Sequence, residues 1–245
     1  AVDFLNLFPY DVWVPGNHDF DLGLEVFKAR CQDFKGRMPA ANIKFVPPVM
    51  TLPPFVVLSR AGLRVVVIGL TFPELRRDPM PGEPEIKPEL FCAALDRVMP
   101  AVMREKPDVI ILAVHYGASL LYANPENSLD RIARRYPQIN LICGGHTHQV
   151  NAGQKIGFNS WYTEPGKHGQ GVIRTTISFD TATRTVSEII SVFVTSGDGE
   201  KFRCPPGILE DCRRFRELEQ AGIGQINGTI SGSVRGVSNP LQNLF

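Results

Sequence analysis

The chain has 245 residues, with 26 Lys and Arg set against 25 Asp and Glu, and a formal charge of +1. That balance lacks the concentrated positive charge of a nucleic-acid binder, and no apolar run approaches the ~18–20 residues that span a bilayer. Residues 1–5 lack the basic start and apolar core of a signal peptide. The length suits one large domain, or one domain and part of a second, and the 43% apolar content is ordinary for a globular protein.

In chain order, residues 2–8 read as the tail of an amphipathic helix and residues 11–14 as a short strand, broken by Pro15-Gly16. Apolar spacing then predicts a helix over 21–34 and a strand over 40–45, followed by a proline-rich connector over 47–54. Residues 55–58 and 64–70 read as strands joined at Ala61-Gly62, a hairpin signal. Five prolines make 72–88 an irregular loop. Residues 90–104 have helical spacing, which Pro100 should kink or split.

The run 109–114 is apolar throughout, as expected of a strand covered on both faces. A helix over 125–136, opened by Pro125, leads to another buried strand over 139–143. The pattern then changes to antiparallel strands over 161–163, 172–179 and 185–195, with a turn at 180–183. After Ser196-Gly197-Asp198-Gly199 come a charged helix over 208–221 and a Gly- and Ser-rich strand over 226–234.

Five cysteines without Cys-x-x-Cys spacing argue against a zinc ribbon or a thioredoxin-like motif. Cys31, Cys92 and Cys143 sit among apolar residues and read as core thiols. Cys204 and Cys212 flank a Pro-Pro-Gly turn and could pair in an exported protein.

Four of the five histidines fall in three polar breaks, each after a strand-like run. These are Gly16-Asn17-His18-Asp19-Phe20-Asp21, His115-Tyr116-Gly117 and Gly144-Gly145-His146-Thr147-His148. Open α/β sheets collect ligands at the carboxyl ends of their strands, so three such ends would meet at one place. Residues two apart on an extended segment face the same side, which lets His146 and His148 both reach a pocket, about 6–7 Å apart. Asn17 offers a neutral oxygen, and a mixed oxygen and imidazole set suits Zn, Mn, Fe or Co better than Ca or Cu(I). His18 should diverge from Asn17 in an extended loop, with Asp21 in reach to fix its tautomer.

The order of these motifs resembles the calcineurin-like metallophosphoesterases, and more narrowly their 5′-nucleotidase branch, with its UDP-sugar hydrolases and 2′,3′-cyclic nucleotide phosphodiesterases. Supporting segments are Ala41-Asn42-Ile43, Val67 through Glu74, and Pro165-Gly166-Lys167-His168-Gly169. The resemblance implies an α/β fold of four layers, two mixed β-sheets flanked by helices, over residues 1–196. It implies a linker and helix over 197–225 and the opening of a C-terminal domain over 226–245.

The activity it implies is a two-metal hydrolase of nucleotide phosphomonoesters, in which two divalent metal ions (Zn, Mn, Fe or Co) activate water to attack phosphorus. Asn17, His115 and His146 would bind one metal and His148 the other. His18, paired with Asp21, would stabilise the transferring phosphoryl group or protonate the leaving oxygen. The partner would be a small nucleotide or phosphoester, with no nucleic acid. Family analogy suggests the periplasm or the extracellular space.

The family begins with Asp-x-His and Gly-Asp motifs that supply further ligands, and neither Asp3 nor Asp11 has that context. The chain is therefore expected to be an internal fragment, inactive or nearly so alone. Alternatives on the same site are a cyclic nucleotide phosphodiesterase with 3′-nucleotidase activity, a UDP-sugar hydrolase and a thiosulfonate hydrolase. A non-catalytic domain that keeps the fold is the alternative from another class. A structural zinc module is disfavoured because closed sites prefer Cys-rich ligands.

Bland readings compete for the remaining candidates. His168 reads as a solvated loop residue sooner than a phosphate contact, and the arginine runs at 131–135 and 213–216 as solvated helix faces. Trp161 and Tyr162 read as core packing before an aromatic shelf for a base. Tyr116 is a candidate for the pocket rim.

Overall fold

The computed structural model describes residues 2–74, 82, 84–118, 124–195, 210, 213–214 and 216–217. Its centre is a six-stranded mixed sheet of order β2-β3-β5-β6-β8-β7. The strands are β2 (Phe55–Arg60), β3 (Leu63–Leu70), β5 (Val109–Val114), β6 (Leu141–Cys143), β7 (Val150–Ile156) and β8 (Ser160–Pro165). Two ribbons accompany it among the described residues: β1 (Ile43–Val46) with β4 (Glu85–Pro88), and β9 (Gly171–Asp180) with β10 (Thr185–Thr195). The mixed α/β architecture matches the expectation, with the β9–β10 ribbon packed against β7 and β8.

The expected hairpin of β2 and β3 forms, and its turn has φ of +49° at Ala61 and +77° at Gly62. Positive φ at both central positions is the primed-turn geometry that suits the twist of paired strands. β3, β5, β6 and β8 then run parallel, with Leu70 opposite Val114, and Ala113, Cys143 and Thr163 in line. That register brings the carboxyl ends of these strands to one edge of the sheet.

One face of the sheet buries Val66, Ile68, Leu70, Ile110, Leu112, Val114 and Ile142 against two helices. These are α3 (Phe91–Arg104) and α4 (Leu129–Arg135), which contribute Phe91, Leu95, Val98, Val102 and Ile132. A second, smaller cluster holds Phe20, Leu24, Phe27, Met38 and Phe45 beside the N-terminal segments. It includes α2 (Leu24–Asp33), shorter than the expected 21–34. Burial of this kind is the main favourable term in folding.

Several expectations need correction. The helix over 2–8 reduces to α1 (Val2–Leu5). Residues 11–14 make one parallel bridge, Val12 to Arg37, in place of a strand. The strand over 40–45 starts later, at Ile43, and pairs antiparallel with β4 inside the stretch expected to be irregular. Pro88 ends β4, a position where its missing N–H costs no ladder bond. Pro100 neither ends nor splits α3, because it lies on the exposed side, where water reaches the carbonyl it leaves unpaired.

The helix over 125–136 divides at Ser128, whose backbone is extended (φ −64°, ψ 126°) and whose side chain caps α4 by accepting from Arg131 N. β7 was not anticipated, since its polar, edge-strand pattern hides the alternation that marks a half-buried strand. β8 is antiparallel only to β7 and parallel to β6. Of the charged helix over 208–221, Glu210, Arg213, Arg214, Arg216 and Glu217 are described; all are helical and exposed. The pairing of Cys204 with Cys212, the strand over 226–234 and the domain divisions beyond residue 196 lie outside the described residues. No described helix is long and apolar enough to cross a membrane.

Candidate metal centre

The second and third motifs leave the sheet at the edge fixed by strand register, and the first comes to meet them there. His115 follows β5 directly and extends the ladder, its N–H donating to Leu70 O at 2.9 Å. Gly144 follows β6 and donates to Thr163 O at 2.8 Å. The first motif arrives from the smaller cluster as a 3-10 turn, Asn17–Phe20, and not as the expected extended loop. Gly16 N donates to Asp19 Oδ2 at 2.7 Å and closes this turn.

Side-chain bonds fasten that turn to the sheet. Thr71, one residue past β3, donates its hydroxyl to Pro15 O. Asn42 is fully buried, accepts from Thr71 N at 2.8 Å and donates to Thr71 O at 2.9 Å. Gly16 is required at its place: a Cβ there would stand 2.7–2.8 Å from the His115 ring.

Three donor atoms meet as a result. His115 Nε2 lies 3.0 Å from Asn17 Oδ1 and 3.3 Å from His146 Nδ1. Ligands about 2.0–2.1 Å from a tetrahedral ion are spaced by roughly 3.4 Å, so this cluster has the dimensions of half a coordination shell or more. Its electrostatics fit as well. Burial, aided by the imidazoles of His146, His18 and His148, pushes the His115 pKa from 6.5 down to about 3. A ring held neutral keeps the lone pair a metal needs. Among the described residues no group of three or more His, Cys, Asp and Glu side chains stands close enough to hold an ion; the amide oxygen of Asn17 completes the trio.

The two histidines of the third motif are not on an extended segment. His146 has φ +74° and His148 has φ +59°, and Thr147 N donates to Gly145 O at 2.9 Å across His146. His146 stacks on Phe72, ring centroids 4.0 Å apart, and meets His115 edge-on at 5.1 Å. His148 faces another way and has the His168 ring 5.9 Å off. The structure thus brings Asn17, His115 and His146 together and sets His148 beside His168. The His18 Nδ1 to Asp21 Oδ2 contact is 2.7 Å, with both side chains about half exposed, so this pair is formed at the rim as expected.

The rim candidate Tyr116 is a core residue instead, and Tyr162 packs in the core as its strand setting suggested. Tyr116 is buried between Phe72 and Phe91, and Tyr162 is buried behind Gly144. Trp161 lines a polar cavity of about 490 Å³ with Asp108, Lys155 and Arg184. That cavity borders the starts of β5 and β6, at the opposite edge of the sheet. The residues that sequence reasoning missed are Phe72, Asn42 as a brace, and Glu164. No spacing rule points to a lone Glu behind a His-Thr-His turn.

Imidazoles and an amide oxygen gathered at the carboxyl ends of parallel strands, in a mixed sheet backed by helices, define the metallophosphoesterase class of fold and site. Residues 2–150 match the family model described as calcineurin-like phosphoesterase, and the chain belongs to that family. The family implies divalent metal ions.

The chain is similar to Protein UshA of Escherichia coli, 31% identical over 156 residues, covering 58% of this chain and 27% of that protein. It is also similar to the 5′-nucleotidase of Vibrio cholerae, 28% identical over the same number of residues and 27% of its length. The chain thus spans about a quarter of the length of these curated relatives. In fold it matches the calcineurin-like phosphoesterase YfkN of Bacillus subtilis, with a TM-score of 0.76, 17% identity and coverage of 91% and 75% of the two chains. A 5′-nucleotidase precursor of Thermus thermophilus matches at 0.70, with 19% identity and coverage of 91% and 45%.

Proposed function

We propose that the full-length protein hydrolyses nucleotide phosphomonoesters with two divalent ions, Zn, Mn, Fe or Co, as a 5′-nucleotidase does. The observation that carries this reading is the approach of Asn17 Oδ1 and His146 Nδ1 to His115 Nε2, within 3.0 and 3.3 Å, beside a hydrogen-bonded His18–Asp21 pair. Relatives named 5′-nucleotidase point to nucleotides as the substrate class.

Asn17, His115 and His146 would hold one ion, and His148 would belong to the other. Bound ions would lower the pKa of water and offset charge on the phosphoryl oxygens. The chain's own side chains do the rest. Asp21 Oδ2 accepts a hydrogen bond from the Nδ1–H of His18, which leaves Nε2 to meet the phosphoryl group. A proton on that nitrogen would stabilise an equatorial oxygen or pass to the leaving oxygen, the usual work of a general acid. The Phe72 ring, stacked on His146, fixes one ligand's orientation and keeps water from that side.

The test is an assay of the full-length protein with manganese or zinc against AMP, UDP-glucose and a 2′,3′-cyclic nucleotide. Turnover of AMP above the other two supports the reading. Absence of metal-dependent turnover on all three would sink it, and so would a His115→Ala variant of normal rate. We place the protein in the periplasm or outside the cell by the same analogy, and fractionation of cells expressing the full-length chain tests that.

A further inference from the structure

Among the described residues, the buried carboxyl group of Glu164 is the acid the sequence least leads one to expect. It lies near the end of β8, 1% exposed, and among the described residues its hydrogen-bond partners are neutral donors. Oε1 accepts from Thr147 Oγ1 at 2.6 Å and from Gln149 N at 3.4 Å. Oε2 accepts from Tyr162 OH at 2.6 Å and is 2.7 Å from the same Thr147 hydroxyl. Tyr162 OH in turn accepts from Ala118 N at 3.2 Å. A buried acid whose partners are neutral is costly unless its hydrogen bonds compensate, and both carboxylate oxygens share one of them, the hydroxyl of Thr147.

Thr147 stands between the two histidines of the third motif. Thr147 N donates to Gly145 O across His146, whose φ is +74°. A three-residue turn with positive φ at its centre is rare and strained, and His148 at +59° repeats the strain two residues on. Strained backbone of this kind persists only where surrounding contacts over-determine it. Here the contacts are the Glu164 carboxylate on one side of Thr147 and Gly117 on the other, where a Cβ would come within 2.3 Å of the Thr147 side chain. Two main-chain bonds, Gly144 N to Thr163 O and Gly166 N to Gln149 O, tie the loop to β8 at either end.

We propose that Glu164 is a positioning residue for the metal centre. Through Thr147 it holds His146 and His148 in the left-handed conformations that aim their rings to different neighbours. The inference rests on the metal-site reading above, but not on the substrate. A carboxylate that fixes metal ligands at one remove typically alters affinity or activity by 10–100-fold.

The test uses the full-length protein, stripped of metal, in four forms: unaltered, Glu164→Gln, Glu164→Ala and Thr147→Val. Thr147→Val keeps the side chain's shape and removes only the hydroxyl that Glu164 grips, so it decides the matter if the Glu164 variants do not fold. Competitive titration with zinc reads metal affinity, and hydrogen exchange reads the Thr147 amide in the metal-free state. Expected are a loss of zinc affinity of at least tenfold and faster Thr147 exchange in Thr147→Val. A Tm within a few degrees of the unaltered protein and a milder loss in Glu164→Gln than in Glu164→Ala complete the expected result.

A Thr147→Val protein with unchanged zinc affinity and unchanged exchange overturns the proposal. So does a set of variants that lose only Tm, since that is the mark of a merely structural acid. Zinc bound by none of the forms, the unaltered one included, sinks the metal-site reading and this inference with it. Zinc bound equally by all of them sinks this inference alone.

Discussion

Asn17 Oδ1 lies 3.0 Å from His115 Nε2, although the two residues are 98 positions apart. The contact is made possible by Gly16, which lets the backbone run directly over the imidazole. A Gly16→Ala methyl would overlap the ring at 2.7–2.8 Å and drive one of the two away. Zinc or manganese affinity should fall by about 10–100-fold. A calorimetric titration giving the unaltered affinity would count against a shared ligand role.

His18 and Asp21 are half exposed and touch each other, so neither supports the core. Asp21→Asn should therefore leave Tm and metal affinity nearly unchanged while lowering kcat, and His18→Asn should lower it further, by roughly 10²–10⁴-fold. Steady-state kinetics on the full-length protein, beside a thermal melt, separates the two effects. Loss of Tm with retained kcat would assign the pair a structural role.

Asn42 braces Thr71 through both of its backbone groups, fully out of water. Asn42→Ala would strip both partners at once. Each buried orphan costs about 1–3 kcal/mol, so a loss near 3 kcal/mol is expected in urea denaturation. A loss below about 1 kcal/mol would mean that water enters the gap and satisfies both groups.

The metal-free protein should carry two opposed pH dependences. His115 stays neutral down to about pH 3 when folded, but its unfolded form takes a proton below about 6.5. Its contribution to stability is therefore lost as pH falls through that window. Asp19 is the reverse: burial, only partly opposed by the Gly16 N–H, raises its pKa from 3.8 to about 6. The folded state keeps a proton that the unfolded chain has released, so stability falls as pH rises from about 4 to 6. Asp19→Asn removes the second term. Its stability relative to the unaltered protein should rise across that range and level off above it, read from urea midpoints. A flat difference would show that the Asp19 carboxyl titrates normally.

Much of this was legible in the residues. The strands β3, β5 and β6 announce themselves as apolar runs, and the order Asn17, His115, His146, His148 points to a metal site because each follows such a run. What was hidden has physical reasons. β7 is an edge strand with mostly polar, exposed side chains, so it carries no alternation. β4 sits among prolines and gains its place only by pairing with β1. The 3-10 turn at Asn17 is closed locally, by Asp19 Oδ2 accepting from Gly16 N, whereas the left-handed backbone at His146 is held by a tertiary contact, Thr147 to Glu164, that local spacing does not encode. Tyr116 looked available because a hydroxyl beside a histidine suggests a pocket, yet its ring is buried, as is that of Tyr162, whose strand setting pointed to core packing.

The described residues form two apolar nuclei, one under α3 and α4 and a smaller one around Phe20, Phe27 and Phe45. Asn17 sits on the turn whose Phe20 enters the lesser of them, whereas His115 and His146 follow strands of the greater. A cation gripped by all three would thus be a further rivet between parts of the chain already joined by the Asn42–Thr71–Pro15 bonds, by Ala41 N donating to Gly69 O and by the Arg97 bond to Ala41 O. Because an ion that binds only the assembled form adds stability in proportion to RT ln(1 + [L]/Kd), metal supply would govern how firmly the N-terminal segments stay seated, quite apart from any chemistry at phosphorus.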